Sequence, residues 1–202
     1  MKSFSSFISS VFQPLLMPTY GVILLFSYSY FGLVYSDRYW QIILPVFLFS
    51  FVIPGLLIYL LFKLKLLSDL ALKVRKERFL PYLVTLFSYS AMILFYYRIN
   101  MPTWFLMMMA GSIAIMIIAI LITLTWKISA HMFGVGGMVG GVMSVCYYVE
   151  NSNPYWLFIG LFILAGLVGT SRLVLKRHTI AQVIAGFLLG FSVAFIFVKL
   201  GV

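Results

Sequence analysis

Ser171, Arg172, Lys176, Arg177 and His178 stand within eight consecutive positions of a chain that is only 9% charged and 64% hydrophobic. The other histidine, His131, follows Ser129 at the start of an apolar stretch, and a third group of cations runs through "KLKLLSDLALKVRKERFLP" (63 to 81). These are the side chains that handle an anion. A guanidinium grips phosphate oxygens two at a time, an ammonium supplies a point charge and hydroxyls donate hydrogen bonds. An imidazole can pass a proton near neutral pH or act as the nucleophile itself.

The elements that position these residues are membrane helices. Several apolar runs reach the roughly 20 residues that cross a hydrocarbon core, and none alternates as a barrel strand does. The expected fold is all-α, a polytopic membrane bundle of six or seven transmembrane helices forming one domain over residues 1–202. Spans are expected near 15–35, 41–64, 82–98, 103–127, 132–149, 155–172 and 179–200. The turns "SDRYWQ", "RINMP" and "ENSNP" separate successive spans. Residues 65–80 should form a basic amphipathic surface segment, and residues 1–14, with Phe4, Phe7, Ile8, Val11 and Phe12 opposite Ser5, Ser6, Ser9 and Ser10, an interfacial helix that serves as an anchor.

Seven crossings bring residues 63–81, 127–131 and 172–178 to one membrane face with the N-terminus. That face carries Lys2, Lys63, Lys65, Lys73, Arg75, Lys76, Arg78, Lys127, Arg172, Lys176 and Arg177, leaving Arg38, Arg98 and Lys199 for the other. The positive-inside rule makes the richer face cytoplasmic, hence the inner membrane if the source is bacterial. His131 and His178 each open a helix there, so two helix N-termini attract an anion to one surface.

The same residues exclude other chemistries. The net charge of +10 has no soluble basic domain with which to bind nucleic acid. All four acids lie at the ends of spans or outside them, so the helices hold no carboxylate to relay protons, and no Asp or Glu cluster is present to hold Mg²⁺. No metal and no cofactor is expected. Cys146 is expected to be a small core residue. "GVGGMVGG" (134–141) lacks the Lys-Ser/Thr of a phosphate loop; Gly136 and Gly140, Gly137 and Gly141, and Gly186 and Gly190 have the spacing that lets helix backbones approach.

Three stretches together resemble the motifs of the type 2 phosphatidic acid phosphatase family, Lys-x6-Arg-Pro, Pro-Ser-Gly-His and Ser-Arg-x5-His-x3-Asp. "KVRKERFLP" keeps Lys73 and Pro81 with Leu80 in place of arginine, and "ISAH" keeps Ser129 and His131 with Ile128 and Ala130 in place of proline and glycine. "SRLVLKRHTIAQ" keeps Ser171, Arg172 and His178 with Gln182 in place of aspartate. The resemblance spans 73 to 182 in the family's order.

What the resemblance implies is a membrane-embedded, metal-independent lipid phosphate phosphatase. His178 would attack phosphorus and His131 would protonate the departing oxygen, then help water release the phosphate. Lys73, Ser129, Ser171 and Arg172 would hold the phosphoryl oxygens, and Gln182 would support His178. Lys76, sharing a helical face with Lys73 and Leu80, is expected to substitute for the missing arginine, with Arg75 and Arg78 pointing elsewhere. Substrates of this chemistry are phosphatidate, phosphatidylglycerol phosphate, prenyl diphosphates and lipid A. Two other classes fit the same residues: a catalytically weak or inactive homologue that binds phosphorylated lipids as a sensor or partner, and a transporter component with the same basic pocket.

Overall fold

The computed structural model describes residues 2–70, 74 and 76–202. Its regular elements are all helical: α1 (Lys2–Val11), α2 (Met17–Tyr28), α3 (Tyr30–Val34), α4 (Tyr39–Phe47), α5 (Ile53–Lys63), α6 (Phe79–Arg98), α7 (Thr103–Thr125), α8 (Ala130–Ser144), α9 (Tyr155–Val174) and α10 (Ile180–Leu200). Seven helical stretches among the described residues are long and apolar enough to cross a membrane: 2–28, 36–63, 79–98, 103–125, 130–149, 155–174 and 180–200. The chain is an integral membrane helical bundle. Its outer face carries large apolar side chains such as Leu33, Phe87 and Trp156, as a lipid-facing surface requires.

Span two departs from a simple rod. Pro45 removes one ladder donor, a π-helical turn occupies Leu48–Val52, and Pro54 opens α5. The freed backbone is tied to its neighbours: Ser88 Oγ donates to the Phe49 carbonyl, and the Ser50 and Thr19 hydroxyls pair at 3.3 Å. A second π turn, Val145–Val149, extends α8.

The bundle is built around α8, whose span is 67% buried against 28–39% for the other six. Glycine makes that possible. A methyl group at Gly136 or Gly140 would run into the backbone carbonyls of Phe187 or Phe191 on α10, and one at Gly190 into that of Phe133 on α8. The two helices therefore run side by side at backbone contact, with Ser144 Oγ donating to the Phe195 carbonyl at 2.8 Å further along. Gly137 and Gly141 share the spacing but not the role, because they face an internal cavity. Cys146 is buried in the core.

Because α8 and α10 both begin at the same face, their N-termini lie together, with the C-terminal end of α9 and the start of α6 beside them. The surface segment is not a continuous amphipathic helix in its described parts. The chain reverses at Lys65 (φ 59°), Leu67 is buried, and only Lys76–Arg78 forms a 3-10 turn before α6. Ser68 donates to Glu77 Oε2 through both its N–H and its hydroxyl, each at 2.9 Å, which folds the segment back on itself.

Candidate anion site at the membrane face

A cavity of about 830 Å³ opens where these helix ends meet. Its polar end is lined by Ser9, Arg78, His131, Arg172, Arg177 and His178. Its other walls are largely apolar and include Tyr89, Met109, Gly137, Gly141 and Val142, with the hydroxyls of Thr85 and Ser112 among them. Val142 lies twelve residues beyond the start of α8, so at 1.5 Å per residue the cavity follows that helix for about 18 Å into the bundle. No carboxylate lines it among the described residues.

His178 is placed by a tight connection between α9 and α10. Lys176 takes a left-handed conformation (φ 52°), which reverses the chain after the last turn of α9, and the N–H of Arg177 returns to the Arg172 carbonyl at 3.1 Å. Thr179 then caps α10, with Gln182 completing a reciprocal capping box. The Gln182 amide oxygen accepts from the Thr179 N–H at 3.3 Å and lies 3.0 Å from His178 Nδ1. An amide oxygen only accepts, so Nδ1 carries the proton and Nε2 keeps a free lone pair. Burial pushes the His178 imidazole down from 6.5 to about 4; the Gln182 bond opposes the shift, and the charges of Arg172, Arg78 and Lys127 add to it. The ring is neutral at pH 7.

His131 sits in the first turn of α8, and its partner comes from the opposite end of the chain. Nε2 lies 3.0 Å from the backbone carbonyl of Ser9 and 3.1 Å from the Ser9 hydroxyl. The carbonyl can only accept, which places a proton on Nε2. Arg172 Nη1 donates to that same hydroxyl, and Arg172 Nε is buried with no partner among the described residues. Helix α1 is therefore more than an anchor. Phe4 and Phe7 face outward, 61% and 63% exposed, while Ser6, Ser9 and Ser10 line the cavity.

Arg78 corrects an expectation. A helix running from 73 to 80 would turn it away from the site, but α6 starts only at Phe79, and the 3-10 turn before it swings Arg78 inward. Arg78 is 6% exposed, lines the cavity and donates from Nη1 to the Ile128 carbonyl at 3.0 Å. It stands two positions before Leu80, whose side chain is 40% exposed. The guanidinium thus ties the start of α6 to the loop before α8. Lys127 is close by, its ammonium lowered by burial and then by the charges of Arg78, Arg177 and Arg172.

The remaining expected residues are distributed as follows. Ser171 is buried and donates to the Val168 carbonyl of its own helix at 2.7 Å, away from the cavity wall. Ser129 is fully buried at the N-cap of α8, and its hydroxyl has no partner among the described residues. Gln182 acts behind His178 rather than at the wall. Lys73 and the side chain of Lys76 lie outside the described residues. Among the residues at the polar end of the cavity, Ser9, Arg78 and Arg177 are not site residues expected from the sequence. Comparison with known proteins finds no matching family model, no matching curated protein and no matching solved structure.

Proposed function

We propose that the chain is a membrane phosphatase of lipid phosphates or diphosphates that works through a phosphohistidine. The observation that carries this reading is a cavity whose polar end is lined by three guanidiniums and two imidazoles and, among the described residues, by no carboxylate, and which continues into a largely apolar shaft. An anionic headgroup fits the first part and a hydrocarbon chain the second. The orphaned Arg172 Nε supports it, because a buried charged donor calls for an acceptor. The resemblance to the type 2 phosphatidic acid phosphatases, through Lys73, Pro81, Ser129, His131, Ser171, Arg172 and His178, points to the same chemistry.

In this reaction the Nε2 lone pair of His178 attacks phosphorus, and the bond between phosphorus and the lipid oxygen breaks. His131, as the imidazolium in the complex with the anionic headgroup, gives its Nε2 proton to that oxygen and becomes the neutral ring, so the lipid leaves as a neutral alcohol or, from a diphosphate, as a protonated monophosphate. Water then attacks the phosphohistidine while His131 takes the water proton, and orthophosphate departs with both imidazoles restored. Arg78, Arg172 and Arg177 hold the phosphoryl oxygens, where charge stabilisation contributes most. The excess of cations on the site's face supports a cytoplasmic orientation by the positive-inside rule.

A second reading draws on Gln182. A neutral amide fixes the tautomer of His178 but cannot offset the positive charge that phosphorylation places on the ring, which favours a protein that binds phosphorylated lipid and turns it over slowly or not at all. Phosphate release from short-chain phosphatidate, phosphatidylglycerol phosphate, prenyl diphosphate and lipid A, with wild type, His131→Ala and His178→Ala, tests the two. The phosphatase reading expects release from at least one substrate that either substitution abolishes. Binding without release supports the second reading.

A further inference from the structure

We infer that Ser9 is a built-in occupant of the headgroup site, so that α1 covers the site until an anionic headgroup displaces it. The inference rests on the reading of this cavity as a phosphoryl site. Two oxygens of this one residue, the hydroxyl and the backbone carbonyl, accept from the donors the reaction needs, His131 Nε2–H and Arg172 Nη1. A phosphate ester presents the same pattern: an ester oxygen for the acid and a neighbouring oxygen for the guanidinium. While the Ser9 carbonyl holds the His131 proton, that proton is not aimed at a leaving group.

The setting of α1 fits a displaceable cover. Only ten residues long, the helix packs against α9, with Ser5 and Ile8 buried beneath it. Its aromatic residues face outward, where the membrane interface can hold them whether the serine edge is seated or withdrawn. Pro14 and Pro18 follow, and the Tyr20 hydroxyl donates to the Val11 carbonyl at 3.0 Å, so the bend between α1 and α2 is the natural pivot. Ser9 satisfies Arg172 through one donor and leaves Nε orphaned; an incoming phosphoryl group can engage both.

A cover that must be displaced weakens apparent affinity by the fraction of time the site is open. Removing the hydroxyl takes away one charged hydrogen bond from the covered state, a change of about tenfold or more. The test is orthophosphate binding by titration calorimetry to the full chain in nanodiscs, as wild type, Ser9→Ala and Ser9→Thr, beside phosphate release from dioctanoyl phosphatidate. Ser9→Ala should bind orthophosphate about tenfold more tightly, and Ser9→Thr, which keeps the hydroxyl, should match wild type. Weaker or unchanged binding by Ser9→Ala, or no binding by any of the three, overturns the inference. If the affinities follow the expected order but no phosphatidate is hydrolysed, hydrolysis fails as the function while the role of Ser9 stands.

Discussion

The Gln182 amide oxygen and His178 Nδ1 lie 3.0 Å apart, and the same oxygen receives the Thr179 N–H, so one side chain both caps α10 and sets the tautomer of the proposed nucleophile. Replacing that amide with a carboxylate preserves both geometric roles, because glutamate completes a capping box as glutamine does. It adds the charge that a phosphorylated imidazole lacks. At the carboxylate behind a serine-protease histidine the acid-to-amide change costs about 10⁴ in turnover. Gln182→Glu is therefore expected to raise kcat for a lipid phosphate by about 10²-fold or more with little change in melting temperature; steady-state kinetics beside a thermal melt measures both.

The His178 ring, held at about 4, gives the reaction a defined acid limit. Below that value the ring is protonated and has no lone pair for phosphorus; above it the nucleophile is fully available. On the His178 limb, kcat/KM should stay level from pH 7 down to about 5 and fall tenfold per pH unit below about 4, rather than bending near the 6.5 of an ordinary histidine. The Gln182→Glu variant should move that bend upward, since a neighbouring carboxylate favours the cationic ring. A pH-rate profile on both proteins shows whether the bend moves.

Arg78 lines the cavity, whereas Leu80, at the position where the motif spacing expects an arginine, is 40% exposed and does not. Losing one charged hydrogen bond to a phosphoryl group is worth about 1.5–3 kcal/mol, or roughly 10 to 100-fold in rate. Arg78→Ala should reduce kcat/KM by that factor, whereas Leu80→Ala should leave it within about twofold. Equal effects of the two would remove Arg78 from the site. Arg78 also holds the Ile128 carbonyl, so Arg78→Lys is the informative companion: it keeps a charge but loses the fork, and should fall between wild type and Ala.

At Gly190 the α8 backbone leaves no room for a methyl group, since the Phe133 carbonyl already fills that position. Gly190→Ala should destabilise the bundle by about 1–3 kcal/mol, as overpacking of a close interface does. Gly55, where an added methyl meets nothing within 4 Å, is the control and should melt within a degree or two of wild type. Fluorescence-detected thermal unfolding in one detergent compares them.

The number of spans was legible from hydropathy, because lipid demands a continuous apolar run wherever a helix crosses, but the first, expected at 15–35, is the stretch 2–28, since α1 and α2 follow each other with only a short bend between them. The α8–α10 contact was legible in part: Gly136, Gly140, Gly186 and Gly190 pack as their four-residue spacing indicates, yet Gly137 and Gly141 have the same spacing and face the cavity. Spacing reports a shared helical face, not what that face meets. The same limit hid Ser9. The serine edge of α1 was evident, but nothing in residues 2–11 says that it meets His131, 122 positions away. Arg78 was hidden by phase, since a late helix start at Phe79 rotates it from the outer face to the cavity. The π turn in span two had local markers in Pro45 and Pro54, but its position depends on Ser88 and Thr19 from other helices.

If His178 carries the phosphoryl group, covalent trapping will catch it there. Purified protein is mixed with dioctanoyl phosphatidate labelled with ³²P in the headgroup, quenched rapidly, and the label on the protein is counted in wild type and His178→Ala. Wild-type protein should carry a label that is lost in acid and kept in alkali, and His178→Ala should carry none. Phosphate release by His178→Ala at the wild-type rate would contradict this role of His178.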